Sequence, residues 1–358
     1  MKTYLLAGLS LLLAFNQIPA MAEDKIDDAV KKGDQLMGHG KFLQAVDAFR
    51  EVTRTSPDNS KAHSRLGAAL AASHDLHEAH GDKAAAKDDY DTAIQEEKTA
   101  MKLDPKYASP HLILGQIYAN QGKNNDAIAE FKQALAIKPT FTANLDLGIA
   151  YLTSGAVDEA VAAFKEATRI KPEEPVPHLN LGILLDKKGN HKEAINEELE
   201  AIRLDKHNVD GYINLGNIYL DSGDIDNAKE RFEQALKMAP GHPNALSGLG
   251  WAVAEKGFVK DGIKKERQAI QSYPNFVPAH TRLAMLLAKT NDKTGAEESF
   301  KNALKVSPKD LAAGTEYAKF LQSSGQKDQA RAQYKKVLEI NPKFSPAVQG
   351  LAALDSAK

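Results

Sequence analysis

Three histidines stand at intervals of three residues, His74, His77 and His80, interleaved with Asp75 and Glu78. Imidazoles beside carboxylates are the donor set of zinc and related divalent cations. On a helix, residues three apart share a face, but the third of such a series is rotated well away from the first. A closed site would need a further donor from another helix, and Asp88 or Asp89 is nearest. His74, His77 and His80 are therefore weak metal candidates, and no cofactor is expected. The segment reads better as a solvated polar hairpin, with a pH-sensitive lobe of clustered imidazoles as the reading between that and a metal site.

No other constellation points to catalysis, and no catalytic residue is assigned. The chain has no cysteine, which excludes thiol catalysis, cysteine-ligated clusters, c-type haem attachment, a disulfide framework and an acylated lipoprotein cysteine. Gly248-Leu249-Gly250-Trp251 lacks the third glycine and the preceding strand of a dinucleotide loop. Walker, zinc-protease and nucleophile-elbow motifs are missing. With 26% charged residues and a net charge of −2, the chain has no polyelectrolyte character. Lysine and glutamate are interspersed, so nucleic acid is not an expected partner.

The elements behind these residues are set by a repeat. Pro139, Pro172, Pro240, Pro274, Pro308 and Pro342 recur at 33, 68, 34, 34 and 34 residues, with Lys206 at the missing position. Leu-Gly pairs recur with them, at Leu114-Gly115, Leu147-Gly148, Leu181-Gly182, Leu215-Gly216 and Leu249-Gly250. Twelve residues after each glycine comes a small residue, then in three copies a phenylalanine (Phe131, Phe164, Phe232), then an alanine. Offsets of 3, 4 and 7 place these on one stripe of a helix. A second break recurs at Gly40, Gly122, Gly155, Gly189, Gly223, Gly257 and Gly325, with Asn291 standing in once. Each unit is thus two helices joined by a tight turn.

On these residues the sequence resembles the tetratricopeptide repeat (TPR) family. One copy reads Leu114, Gly115, Tyr118, Ala127, Phe131, Ala134, Pro139, and the next repeats it at the same spacing. The resemblance implies an all-α, right-handed α-solenoid (superhelix). Nine repeats begin near residues 26, 60, 108, 141, 175, 209, 243, 277 and 311, so that the array covers 23–344, and a C-terminal capping helix and tail cover 345–358. Glu97, Glu198 and Glu266 replace the aromatic, and Ala284 and Ala318 replace the glycine. The three glutamates are expected to reach the edge of their seams. His63, His111, His178 and His280 stand four residues before their repeat's glycine (or Ala284) and are expected to pack.

Two segments lie outside the period. Residues 1–22 carry Lys2, an apolar run and Ala20-Met21-Ala22, the pattern of a secretory signal peptide cleaved after Ala22. The run is too short to span a bilayer, so a periplasmic or secreted location and no integral membrane segment after cleavage are expected. Repeat 2 occupies 48 residues, and its extra 14, residues 74–87, are expected to form a hairpin about two turns long with Gly81-Asp82 at its tip.

The resemblance also implies that the first helix of each repeat lines a concave face. The residues three before and one after the glycine are then Leu112 and Gln116, Leu145 and Ile149, Leu179 and Ile183, and Ile213 and Asn217, followed by Trp251 and Met285. No lysine stands three before the glycine, which disfavours the family's clamp for terminal carboxylates. An amphipathic helix or extended apolar segment fits better, with Asn214 and Asn217 available to its backbone. The expected function is a non-catalytic protein–protein interaction scaffold or adaptor in the bacterial cell envelope, serving assembly, secretion or polymer export. The alternatives are a module for peptidoglycan or an exported polysaccharide, and self-association through the closing helix (Val348, Leu351, Leu354).

Overall fold

Each unit of the repeat contains two residues or groups suited to end a helix, and the chain folds accordingly. A computed structural model describes residues 25–356, with nineteen α-helices and no strand among the described residues. The signal sequence expected at residues 1–22 lies outside them. The helices pair as α1 (Lys25–Gly38) with α2 (Phe42–Thr55), α3 (Ser60–Ala79) with α4 (Lys83–Leu103), and α5 (Ala108–Asn120) with α6 (Asn124–Ile137). Next come α7 (Phe141–Ser154) with α8 (Val157–Ile170), α9 (Pro175–Lys187) with α10 (His191–Leu204), and α11 (Val209–Asp221) with α12 (Ile225–Met238). The last pairs are α13 (Pro243–Glu255) with α14 (Val259–Ser272), α15 (Val277–Lys289) with α16 (Lys293–Val306), and α17 (Leu311–Ser323) with α18 (Lys327–Ile340), followed by α19 (Ser345–Ser356).

Local chemistry explains the breaks. Gly155 ends α7 in the left-handed region at φ 82°, and Asn291 does the same after α15 at φ 63° although it carries a Cβ. Several starts are capped by side chains: Asn59 accepts from the Ala62 N–H and Asp310 from that of Ala313.

The chain divides into two compact units, the first ending at Leu184 and the second beginning at Leu185. In the first unit α3, α5 and α7, the leading helices of consecutive pairs, touch in succession, and each also packs on the second helix of its own pair. The second unit repeats this arrangement with α11, α13, α15 and α17. The seams are filled by rings. Phe131 and Phe164 in the first unit, and Phe232 and Phe300 in the second, are at most 1% exposed. Each ring needs a small neighbour: a Cβ on Gly115 would come within 2.5 Å of Phe131. Phe232 lies between Gly216 of its own pair and Gly248 of the next, where added Cβ atoms would approach to 2.8 and 2.4 Å. That contact is the reason for the extra glycine before Leu249.

The irregular second repeat extends both of its helices. α3 and α4 run 20 and 21 residues, against 13 and 14 in α5 and α6. Seven extra residues per helix add about two turns. Gly81 turns the tip at φ 78°, and Asp82 caps α4 by accepting from the Ala85 N–H. Among the described residues no helix is long and apolar enough to cross a membrane.

Candidate functional site

The row expected to face a partner occupies the leading helix of each pair, and its residues are not equally available. In the first unit Leu112 on α5, Ile149 on α7, and Leu179 and Ile183 on α9 are half-buried. Leu145 is only 7% exposed. Gln116 is buried too, its Nε2 donating to Asp146 Oδ2 at 2.8 Å. Close contact between successive leading helices removes Leu145 and Gln116 from the surface offered to a ligand. In the second unit Ile213 is likewise buried, while Asn214, Asn217, Trp251 and Met285 remain half-buried. The Trp251 ring is flanked by the Lys289 ammonium, 5.0 Å from its centroid, which also pairs with Glu255 Oε1 at 2.8 Å. A cation over an indole face is a preformed polar rim around an apolar anchor.

Asn214 has a second role that the sequence did not show: its amide faces the carboxyl of Glu198. Glu97, Glu198 and Glu266 do not reach the edges of their seams. All three are fully buried, and none of their carboxyl oxygens makes a well-formed hydrogen bond, although Ser64, Asn214 and Ser247 lie beside Glu97, Glu198 and Glu266 respectively. They occupy slots that rings fill elsewhere, so the fold carries them inward with the register of the helix. Burial raises the carboxyls of Glu97 and Glu198 well above their usual range. Burial also pushes Glu266 up to about 8, against the opposing pull of Arg282 and, less, Ser247. Arg282 donates to Ser247 Oγ at 3.1 Å beside it. An uncompensated carboxylate in such a slot is costly, so the neutral acid is the form that fits.

The histidines are structural in a more specific way than packing. His63, His178 and His280 each hold the carbonyl of the proline six residues earlier (Pro57, Pro172, Pro274) through Nε2, at 2.9, 3.1 and 2.8 Å. A carbonyl only accepts, so Nε2 carries the proton in each. The constant Pro-to-His spacing was visible in the sequence and is the signal that could have revealed this tie. His111 instead places Nδ1 2.7 Å from Glu130 Oε2.

The hairpin does not assemble His74, His77 and His80 around one point. His74 Nδ1 donates to the Ala86 carbonyl at 2.8 Å, His77 Nδ1 meets Asp89 Oδ2 at 2.8 Å, and His80 Nδ1 donates to the Leu76 carbonyl at 2.7 Å. Asp89 Oδ2 also accepts from Ser73 Oγ at 2.6 Å. Two of the three imidazoles therefore clasp α3 to α4. Among the described residues no group of three or more histidine or carboxylate side chains could hold a metal ion.

Comparisons with known proteins agree with this architecture. Family models described as tetratricopeptide repeat match residues 30–79, 75–141, 114–175 and 213–275, and a second such model matches 292–354. A tetratricopeptide repeat protein from Parabacteroides merdae superposes with a TM-score of 0.63 at 14% identity, covering 69% of this chain and 98% of its own. Cut9, in the APC/C hetero-tetramer Cut9–Hcn1, gives 0.55 at 16% identity over 92% of this chain and 76% of its own. Yeast Tom70 gives 0.55 at 14% identity over 97% and 91%. No curated protein matches the chain. The matched segments span well over half of the sequence and coincide with helix pairs joined at positive-φ turns, so the chain belongs to the tetratricopeptide repeat family.

Proposed function

We propose that this protein is a non-catalytic adaptor of the bacterial cell envelope that holds partner proteins on the leading-helix faces of its repeats. The family's repeats are interaction scaffolds, and the apolar face left uncovered here suits a helix or an extended apolar segment. One observation carries the reading: in the second unit Asn217, Trp251 and Met285 occupy one register on α11, α13 and α15, and none is buried by its neighbours. Trp251 and Met285 are half-exposed apolar side chains on successive leading helices, and adjoining apolar area of this kind marks an interaction surface. A tryptophan flanked by a cation is a typical anchor for such a contact. Ile149 and Ile183 supply the corresponding positions in the first unit. The envelope assignment rests on the leader-like composition of residues 1–22.

The test is affinity capture from a detergent-solubilised envelope of the native host. The chain from residue 23 onward is compared with a Trp251→Ala/Met285→Ala variant and with an Ile149→Asp/Ile183→Asp variant. Proteins retained by the parent and lost from a variant of unchanged far-UV helical signal identify the partner and the face that holds it. Identical profiles from all three reject the leading-helix faces. Trp251 is the only tryptophan, so its emission reports directly whether a captured partner docks there.

A further inference from the structure

The two extra turns of α3 and α4 do more than lengthen a hairpin. Together with the turn between α5 and α6 they line an open cavity of about 610 Å³. Lys83 and Lys87, one turn apart on α4, and Lys123 from the α5–α6 turn bring three ammonium groups to its walls. Among the described residues none of the three has a carboxylate within ion-pairing distance, although Lys123 Nζ also lies 5.7 Å from the centroid of the Tyr118 ring; Lys256 and Lys289 of the second unit are instead tied to Asp226 and Glu255 of a preceding pair.

Polar groups of defined orientation join them. Tyr90 is 5% exposed, and its phenol oxygen accepts from Asn120 Nδ2 at 3.1 Å, leaving its own O–H to donate. Burial pushes that phenol up to about 12, so it stays a donor across the physiological range. The His74 ring stacks on Tyr90 with centroids 3.4 Å apart and planes within 8°. His74 Nδ1 is engaged by the Ala86 carbonyl, and Nε2 has no hydrogen-bond partner among the described residues. The clasps between His74, His77 and α4 hold this wall in place before any ligand arrives.

Two features narrow the ligand. Tyr90 is 5% exposed and covers one face of the His74 ring, so little aromatic face is left for a sugar to stack on. Glu78 and Asp91 also line the cavity, which asks for hydrogen-bond donors in the ligand beside its anionic groups. A peptide with acidic side chains has both, carboxylates for the lysines and backbone N–H groups for Glu78 and Asp91.

We propose that the cavity beneath the hairpin is a second binding site, for an acidic peptide segment, separate from the leading-helix faces. The lysines at its walls draw the segment in, and Tyr90 and Asn120 hydrogen-bond to it at the floor.

The experiment uses the chain from residue 23 onward in low-salt buffer, where exposed charges are least screened. A fluorescein-labelled octapeptide rich in aspartate and glutamate is titrated by anisotropy, beside a lysine-rich octapeptide and an oligogalacturonate competitor. Saturable binding of the acidic peptide is expected. It should weaken by at least about tenfold in Lys83→Ala/Lys87→Ala/Lys123→Ala, whose substituted side chains are exposed and do not hold the fold. Tyr90→Phe should weaken it by about threefold. The exposed pair Lys335→Ala/Lys336→Ala, away from the cavity, should leave it unchanged. No saturation up to about 1 mM, or equal weakening in both lysine variants, overturns the site. Tighter binding of the oligogalacturonate than of the peptide overturns the peptide assignment. None of these outcomes depends on whether the leading-helix faces bind a partner.

Discussion

Phe232 and Glu266 occupy equivalent positions in neighbouring helix pairs of the second unit, and the fold treats them differently. The phenylalanine is fully buried between two glycines, in contact with both. The glutamate is equally buried, but its oxygens have no hydrogen bond, with Arg282 and Ser247 close by. The same contrast separates Phe131 and Phe164 from Glu97 in the first unit. A repeat register therefore dictates that a side chain is buried, whatever its chemistry. The chemistry decides whether that burial stabilises the seam or opposes it, because apolar area gains from leaving water and a carboxyl does not.

Truncating both residues is the strongest way to break the contrast. Phe232→Ala should cost about 3–5 kcal/mol, as a loss of buried ring area plus a cavity, read as a lowered denaturant midpoint. Glu266→Ala should cost far less, and above pH 8 it should stabilise, because it removes a carboxylate from the seam. Equal costs at alkaline pH would show that the two seams are energetically alike.

The second test is pH. The Glu266 carboxyl has a folded-state value of about 8, above the usual 4.5. Between those values the folded state retains a proton that the unfolded chain releases, so stability falls as pH rises through this window. Below about pH 4.5 the effect vanishes, and above pH 8 it reaches its full size, on the order of 5 kcal/mol. Glu266→Gln should flatten this part of the profile, measured by chemical denaturation from pH 5 to 9. A profile unchanged by the substitution would mean that the folded-state carboxyl titrates in the ordinary carboxylate range.

Smaller effects sharpen the comparison. Gly248→Ala places a Cβ 2.4 Å from the Phe232 ring and should cost about 1–3 kcal/mol. Gly250→Ala, facing the Glu266 seam with its nearest heavy atom 3.0 Å away, should cost less. Ala284 already stands at the equivalent glycine position in the Phe300 repeat, so the lower end of the range applies where a ring can shift. Thermal melts of the two variants give the ranking. Smallest of all, His178→Ala and His280→Ala each remove a bond to a proline carbonyl and should each cost about 1 kcal/mol. His178 belongs to a repeat with a glutamate seam and His280 to one with a phenylalanine seam, so an unequal loss would show that the seam type governs how much each tie contributes.

Much of the fold was legible in the sequence. The proline period, the Leu-Gly pairs and the midway glycines give all-α helix pairs, and the family match agrees. The candidate site was less legible. Leu145 and Ile213 stand three before the glycine as Leu112 and Leu179 do, and Gln116 one after it as Asn217 and Trp251 do, yet Leu145, Ile213 and Gln116 are buried and the others half-exposed. Asp89 stood among the sequence candidates and meets His77, but nothing in the spacing of His74, His77 and His80 shows that His74 turns to the Ala86 carbonyl across the turn.

The sequence alone determined where helices start and stop and which stripe of each is apolar. Those properties depend on dihedral preferences and on neighbours three or four residues away. Tertiary structure decided which parts of that stripe remain open, which carboxyls lose water, and which lysines meet in a cavity. Exposure and charge depend on what the next pair of helices brings alongside, and that contact is set across some 30 residues, beyond the reach of local periodicity.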